Sequence, residues 1–163
     1  MKRTILIIIA ALAFGVASQY ATAASDIQIR DPWVQAAPPN SKVFAAYMEI
    51  YNSGKKPRIL SVVSSPAFEQ VGIHRSVMHE NMAHMEHLKE LDIPPSTSVT
   101  LKPGGLHLML MDAKTPVKIG DKIQMTLIFQ GGEKIAVTAI VRTGRTGDNA
   151  SHQNMDHSAH GSH

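Results

Sequence analysis

Four residues in a fixed frame could hold a soft metal ion: His74, Met85, His107 and Met109. Ten residues separate His74 from Met85, twenty-one separate Met85 from His107, and only Leu108 lies between His107 and Met109. The chain contains no cysteine. Imidazole plus thioether, without thiolate, suits cuprous copper in a compartment where thiols would oxidise. All four donors are neutral, so the loaded site would keep a single positive charge. The thioethers carry no proton at accessible pH. The imidazoles must be neutral to bind, so affinity should weaken below about pH 6. An ion held on a rim by neutral ligands can leave again, and thiolates on a partner would outcompete them for Cu(I). That chemistry fits a carrier better than a catalyst.

The segments that must position these residues are strand-like. Leu106 to Leu110 alternates, so Leu106, Leu108 and Leu110 can enter a core while His107, Met109 and Met111 share the other face. The same parity sets His74, Ser76 and Met78 opposite Val71, Ile73 and Val77. Ile27–Ile29, Val43–Tyr51, Ile59–Val63, Thr97–Leu101, Ile123–Phe129 and Lys134–Val141 also read as strands. Turn signals separate them at Asn52-Ser53-Gly54, Ser65-Pro66, Lys102-Pro103-Gly104-Gly105 and Gly131-Gly132, the last a hairpin. Short strands with regular turns and no long helix favour an antiparallel β-sandwich or barrel. Glu80–Leu91 is ambiguous, because Met82, Met85, Leu88 and Leu91 also sit at helical spacing. A hairpin turning near Glu80-Asn81 is the expectation here, since it would return Met85 towards His74. Met48 and Met125 fall in strand patterns as core residues. Met78, Met82, Met111, His79, His84 and His87 read as rim or packing residues.

The N-terminus points to export. Lys2 and Arg3 precede an apolar run from Ile5 to Ala17, and Ala21-Thr22-Ala23 is a small-x-small cleavage signal. This is the pattern of a secretory signal peptide, and the run is short for the ~20 residues of a membrane span. The expected organisation is a signal peptide over 1–23, one folded domain over 24–143 and a polar tail over 144–163. No stable membrane insertion is expected after cleavage. Without Lys2 and Arg3 the formal charge falls from +3 to +1, so the basic balance says little about partners. No basic run carries interleaved aromatics, which argues against nucleic acid. The missing cysteines exclude a disulfide framework, a blue-copper centre, a thiolate zinc site and thioredoxin-like exchange. The tail is of low complexity and without hydrophobic periodicity, and disorder is expected there. Its His152, Met155, His157, His160 and His163 form a candidate auxiliary site, able to take Cu(II), nickel or zinc as well as Cu(I).

The frame His-x10-Met-x21-His-x-Met resembles the ligand motif of the bacterial periplasmic copper chaperones called PCu(A)C, and falls on His74, Met85, His107 and Met109 without gap or shift. Ala45-Ala46-Tyr47-Met48 leading to Asn52-Ser53-Gly54, the stretch Lys102 to Leu110, and Gly120-Asp121 are similar to that family too, so the likeness spans about Asp26 to Val141. The chain departs from the pattern in the crowding of His79, Met82, His84 and His87 around Met85. The resemblance implies a cupredoxin-like Greek-key β-sandwich lacking the cupredoxin cysteine. It also implies Cu(I) bound by two His and two Met, and delivery towards the CuA centre of cytochrome c oxidase, directly or through a Sco-type thiol protein. In some members a His/Met-rich extension adds a Cu(II)-capable site, which the tail resembles.

The leading expectation is therefore a monomeric periplasmic copper carrier rather than an enzyme. A copper-buffering or tolerance protein working through the tail is the alternative. A structural β-sandwich with incidental His and Met is a third reading, and it predicts no metal retention. No Ser-His-Asp or paired-carboxylate arrangement is defensible from spacing, and two thioethers disfavour the Cu(II) that a copper oxidase must cycle.

Overall fold

Alternation of apolar and polar residues drives most of the chain into strands. In Lys122–Phe129 and Lys134–Arg142 every second side chain is buried, from Ile123, Met125, Leu127 and Phe129 on one to Val137, Ala139 and Val141 on the other. The computed structural model describes residues 25–79 and 82–144, and among these there is no helix. Ten strands form: β1 (Ile27–Gln35), β2 (Phe44–Asn52), β3 (Arg58–Ser64), β4 (Phe68–His79), β5 (Met82–Leu88), β6 (Leu91–Ile93), β7 (Thr97–Leu101), β8 (Leu106–Ala113), β9 (Lys122–Phe129) and β10 (Lys134–Arg142). The proposed signal peptide and the tail residues His152, Met155, His157, His160 and His163 lie outside the described residues.

The strands pair in the order β5-β4-β8-β2-β1-β10-β9-β3-β6, with β7 also on β2. All pairs are antiparallel except β1 with β10. The path folds over one continuous core in which Phe44, Leu108, Leu110 and Phe68 meet Leu60, Leu127 and Phe129. Met48 and Met125 belong to it, as their strand patterns predict. The result is the all-β, cupredoxin-like sandwich that the sequence suggests.

Three local features differ from the reading of the sequence. The first strand does not stop at Ile29. It passes a bulge at Asp31, whose φ is +43°, and resumes pairing at Trp33, with both Trp33 and Val34 buried. The short strand β6 has no clear sequence signal, being only three residues long. The Lys102–Gly105 turn does form, closed by Lys102 N–H to Leu106 O (2.8 Å) and Gly105 N–H to Lys102 O (3.1 Å), but it does not reverse the chain. β7 pairs with Met48–Asn52 and β8 with Phe44–Ala46 of the same strand, in the same sense. The turn is thus an excursion inside one long strand line, and the chain re-enters the sheet at Leu106, paired with Arg75 and followed at once by His107.

The Glu80-Asn81 hairpin is present in its pairing. His79 pairs with Met82, and the register runs regularly back to Ile73 with Leu88. Strand propensity and pairing to β4 therefore override the helical spacing of the methionines.

Asn52 fixes the turn that the Asn-Ser-Gly signal marks. Its buried side chain donates to the carbonyls of Lys56 (2.8 Å), Ile93 (3.0 Å) and Pro94 (3.2 Å) and accepts from Gly54 N–H (3.0 Å). A Cβ at Gly54 would lie 2.7 Å from an Asp26 carboxylate oxygen and 3.1 Å from Asn52 Oδ1, so a larger residue there would push Asp26 aside and crowd Asn52.

Candidate metal centre

The register of three neighbouring strands gathers the candidate ligands on one face. On β4 and β8, His74 lies opposite His107 and Gly72 opposite Met109. On β4 and β5, Ser76 lies opposite Met85 and His74 opposite His87. Directly opposed residues share a face, so His74, His107, Met109, Met85 and His87 all project to the same side. Leu108 and Leu110, of the other parity, are fully buried beneath them. Met109 is flanked by the two smallest partners available, Gly72 on β4 and Ala45 on β2.

Met85, His107 and Met109 line one cavity of about 390 Å³, together with Tyr47, Ser76 and Gly104. His74 stands outside that wall but lies against His107, with ring centroids 5.9 Å apart and planes at 29°. The four residues of the frame are thus neighbours, three in one concavity and the fourth stacked on it. Met85 is 62% exposed, whereas His107 is only 5% exposed. The face opposite the core is therefore not uniformly a rim, as parity alone suggests: Tyr47 lies 6.5 Å from His107 between ring centroids and helps cover it.

Each imidazole has a distinct environment. His107 Nδ1 lies 3.0 Å from the Gly105 carbonyl oxygen. A carbonyl only accepts, so in the neutral ring the proton sits on Nδ1 and Nε2 keeps its lone pair. His74 Nδ1 is buried with no hydrogen-bond partner, while Nε2 lies 3.3 Å from Nδ1 of His87. Burial lowers the pKa of His74, and the neighbouring His87 and His107 lower it further. The ring is therefore held in the neutral form that metal ions require. Two imidazoles and two thioethers make a neutral, soft donor set suited to a d10 ion.

The remaining His and Met residues divide by parity. Met78 shares the candidate face and is exposed, and Met111 follows Met109 on it, opposite Gln70. Met82 and His84 lie on the other face of β5. His87 is the residue that the four-residue frame misses. Its ring centroid lies 5.0 Å from that of His74. The signal was available, because it shares strand parity with Met85.

A family model described as "Putative lipoprotein LpqE-like" matches residues 27–141. The chain belongs to the LpqE-like family. A curated relative, "Putative lipoprotein Lxx21020" of Leifsonia xyli subsp. xyli, is 32% identical over 120 residues, which cover 73% of this chain and 71% of that protein. The copper-bound PCuAC domain from PmoF2 is 28% identical, with a TM-score of 0.63 over 74% of this chain and 95% of that domain. The solution structure of Cu(I)-DR1885 from Deinococcus radiodurans is 30% identical, with a TM-score of 0.58 over 80% of this chain and 86% of that protein. The PCu(A)C resemblance drawn from the motifs is borne out at the level of family and fold for this LpqE-like chain.

Proposed function

We propose that this protein is an exported copper carrier that binds Cu(I) through His74, Met85, His107 and Met109 and passes it to an acceptor protein. The observation that carries the reading is the convergence of Met85, His107 and Met109 on one cavity wall, with His74 stacked on His107. Two further facts support it. Solved relatives at 28–30% identity are described as copper-bound and Cu(I) forms. A relative named a lipoprotein fits a role in the cell envelope, as does the candidate signal peptide at residues 1–23.

The geometry accounts for both capture and release. In its neutral form His107 presents a bare Nε2, because its Nδ1–H is committed to Gly105. His74 is kept neutral by burial and by its imidazole neighbours. Met109 sits between two small residues, so its thioether has room to turn. Met85 is the exposed ligand on the outermost strand of the path, and it would be the first to yield to an incoming thiolate. The acceptor would be a thiol-bearing Sco-type protein or the CuA subunit of cytochrome c oxidase, and the site of action the periplasm. The tail residues His152, Met155, His157, His160 and His163 would add a separate, Cu(II)-capable store.

The test is anaerobic Cu(I) competition against a chromophoric chelator. One tight equivalent that is lost in Met109→Ala, with the fold intact, is expected. Unchanged affinity in both Met109→Ala and His107→Ala would sink the assignment.

A further inference from the structure

His87 stands outside the four-residue frame, yet it is the side chain that meets His74 most directly. The two ring nitrogens, His74 Nε2 and His87 Nδ1, are 3.3 Å apart. Two imidazole nitrogens bound to one tetrahedral ion, each at the ~2.0–2.1 Å of a zinc–nitrogen bond, lie about 3.3 Å from each other. No movement of either ring is needed to reach that spacing. The pair also lies close over residue 72, which is a glycine: a Cβ there would lie 2.7 Å from His74 Nε2 and 3.4 Å from His87 Cε1. Its backbone is not in the left-handed region, so turn geometry does not require glycine there. A larger residue at 72 would press on His74 and displace it from His87.

We infer that His74 and His87 form a second metal position, over Gly72, for a divalent ion that prefers imidazole to thioether, of which Zn(II) is the type. With two imidazoles, one fewer protein ligand than a catalytic zinc centre, the remaining positions fall to water, as the exposure of His87 allows, so the ion is held weakly. This position lies one strand nearer the end of the sheet path than His107 and Met109. It would hold ions that thioethers reject. It rests on the copper reading only in sharing His74 with it.

The experiment uses the full chain carrying Ala at His152, His157, His160 and His163, so that tail imidazoles do not contribute. Zn(II) is titrated against a chromophoric competitor, and imidazole nitrogen shifts are followed by NMR. We expect one Zn(II), with the His87 Nδ1 and His74 Nε2 resonances moving to metal-bound positions. His87→Ala should weaken Zn(II) at least tenfold and Cu(I) by much less. Gly72→Ala should weaken Zn(II) as well, by displacing His74 from His87. His74→Ala should weaken both ions, and Met109→Ala only Cu(I). Zn(II) affinity unchanged in His87→Ala overturns the inference. So does an equal loss of Cu(I) in that variant, which would make His87 part of a single site. Zn(II) binding that depends on His87, in a chain without Cu(I) affinity, would uphold this position and overturn the copper reading alone.

Discussion

The Gly105 carbonyl oxygen accepts two hydrogen bonds, one from His107 Nδ1 at 3.0 Å and one from the backbone N–H of Ser76 at 3.1 Å. The same atom thus ties the Lys102–Gly105 excursion to β4 and sets the tautomer of the buried imidazole. In the metal-free protein, His107 is expected as the Nδ1–H form, which long-range proton–nitrogen NMR would read directly. His107→Ala should lower Cu(I) affinity by at least the ~10–100-fold that loss of an outer-shell partner costs. Chelator competition measures that loss.

Parity on β5 separates two neighbouring methionines. Met85 shares the face of His74, while Met82 points to the other side. Met85→Ala is expected to weaken Cu(I) binding and Met82→Ala to leave it unchanged. Both side chains are exposed, so each change should alter stability by no more than about 0.5 kcal/mol. Paired affinity and thermal-melting measurements would check this. A loss in Met82→Ala equal to that in Met85→Ala would contradict the register argument.

Burial, with His87 and His107 alongside, lowers the pKa of His74 below the ordinary histidine value of about 6.5. In the unfolded chain the same group titrates near that ordinary value. Between the two values the unfolded state binds more protons, so stability rises with pH across that window. Lowering the pH from neutral through 6.5 should therefore destabilise the metal-free protein until the folded-state value is passed. His74→Gln should flatten this part of the profile. Urea unfolding of both proteins over the range would show it.

Asn52 holds the β2 end with one buried amide against three carbonyls. Asn52→Ala would leave the buried Ile93 carbonyl unpaired, while the Lys56 and Pro94 carbonyls can turn to water, at a cost of about 1–3 kcal/mol. Denaturant unfolding should show the lower midpoint. Cu(I) affinity should persist, since Asn52 lies beyond the β7–β8 excursion from the site.

The strands and the shared face of His74, His107 and Met109 are legible in the sequence because side-chain parity is a local property. Leu108 and Leu110 declare the core side, and the intervening His and Met follow. The hairpin reading held more than the frame did. His79 pairs with Met82, and counting back one residue at a time sets Ser76 against Met85 and His74 against His87. The partner of His74 across the hairpin was therefore implied by the turn, but spacing to Met85 drew attention away from it. Burial of His107 was not legible, because it depends on Tyr47 of β2, sixty residues earlier. Nor was the straight-through course of β7 into β8, since a Pro-Gly-Gly turn looks the same whether or not the chain reverses. The Asp31 bulge was hidden by Asp31-Pro32, a pair that ordinarily argues against a continuing strand.

β5 ends the path of paired strands, with β4 as its neighbour there, and Met85 is exposed on it. A strand hydrogen-bonded along one side opens more readily than one between two neighbours. Cargo bound between Met85 and β8 would act as a clasp, tying that strand to a second one besides its hydrogen-bonded neighbour. An acceptor could then read the loaded state from how firmly the margin of the sheet is held, before it touches the ion at all.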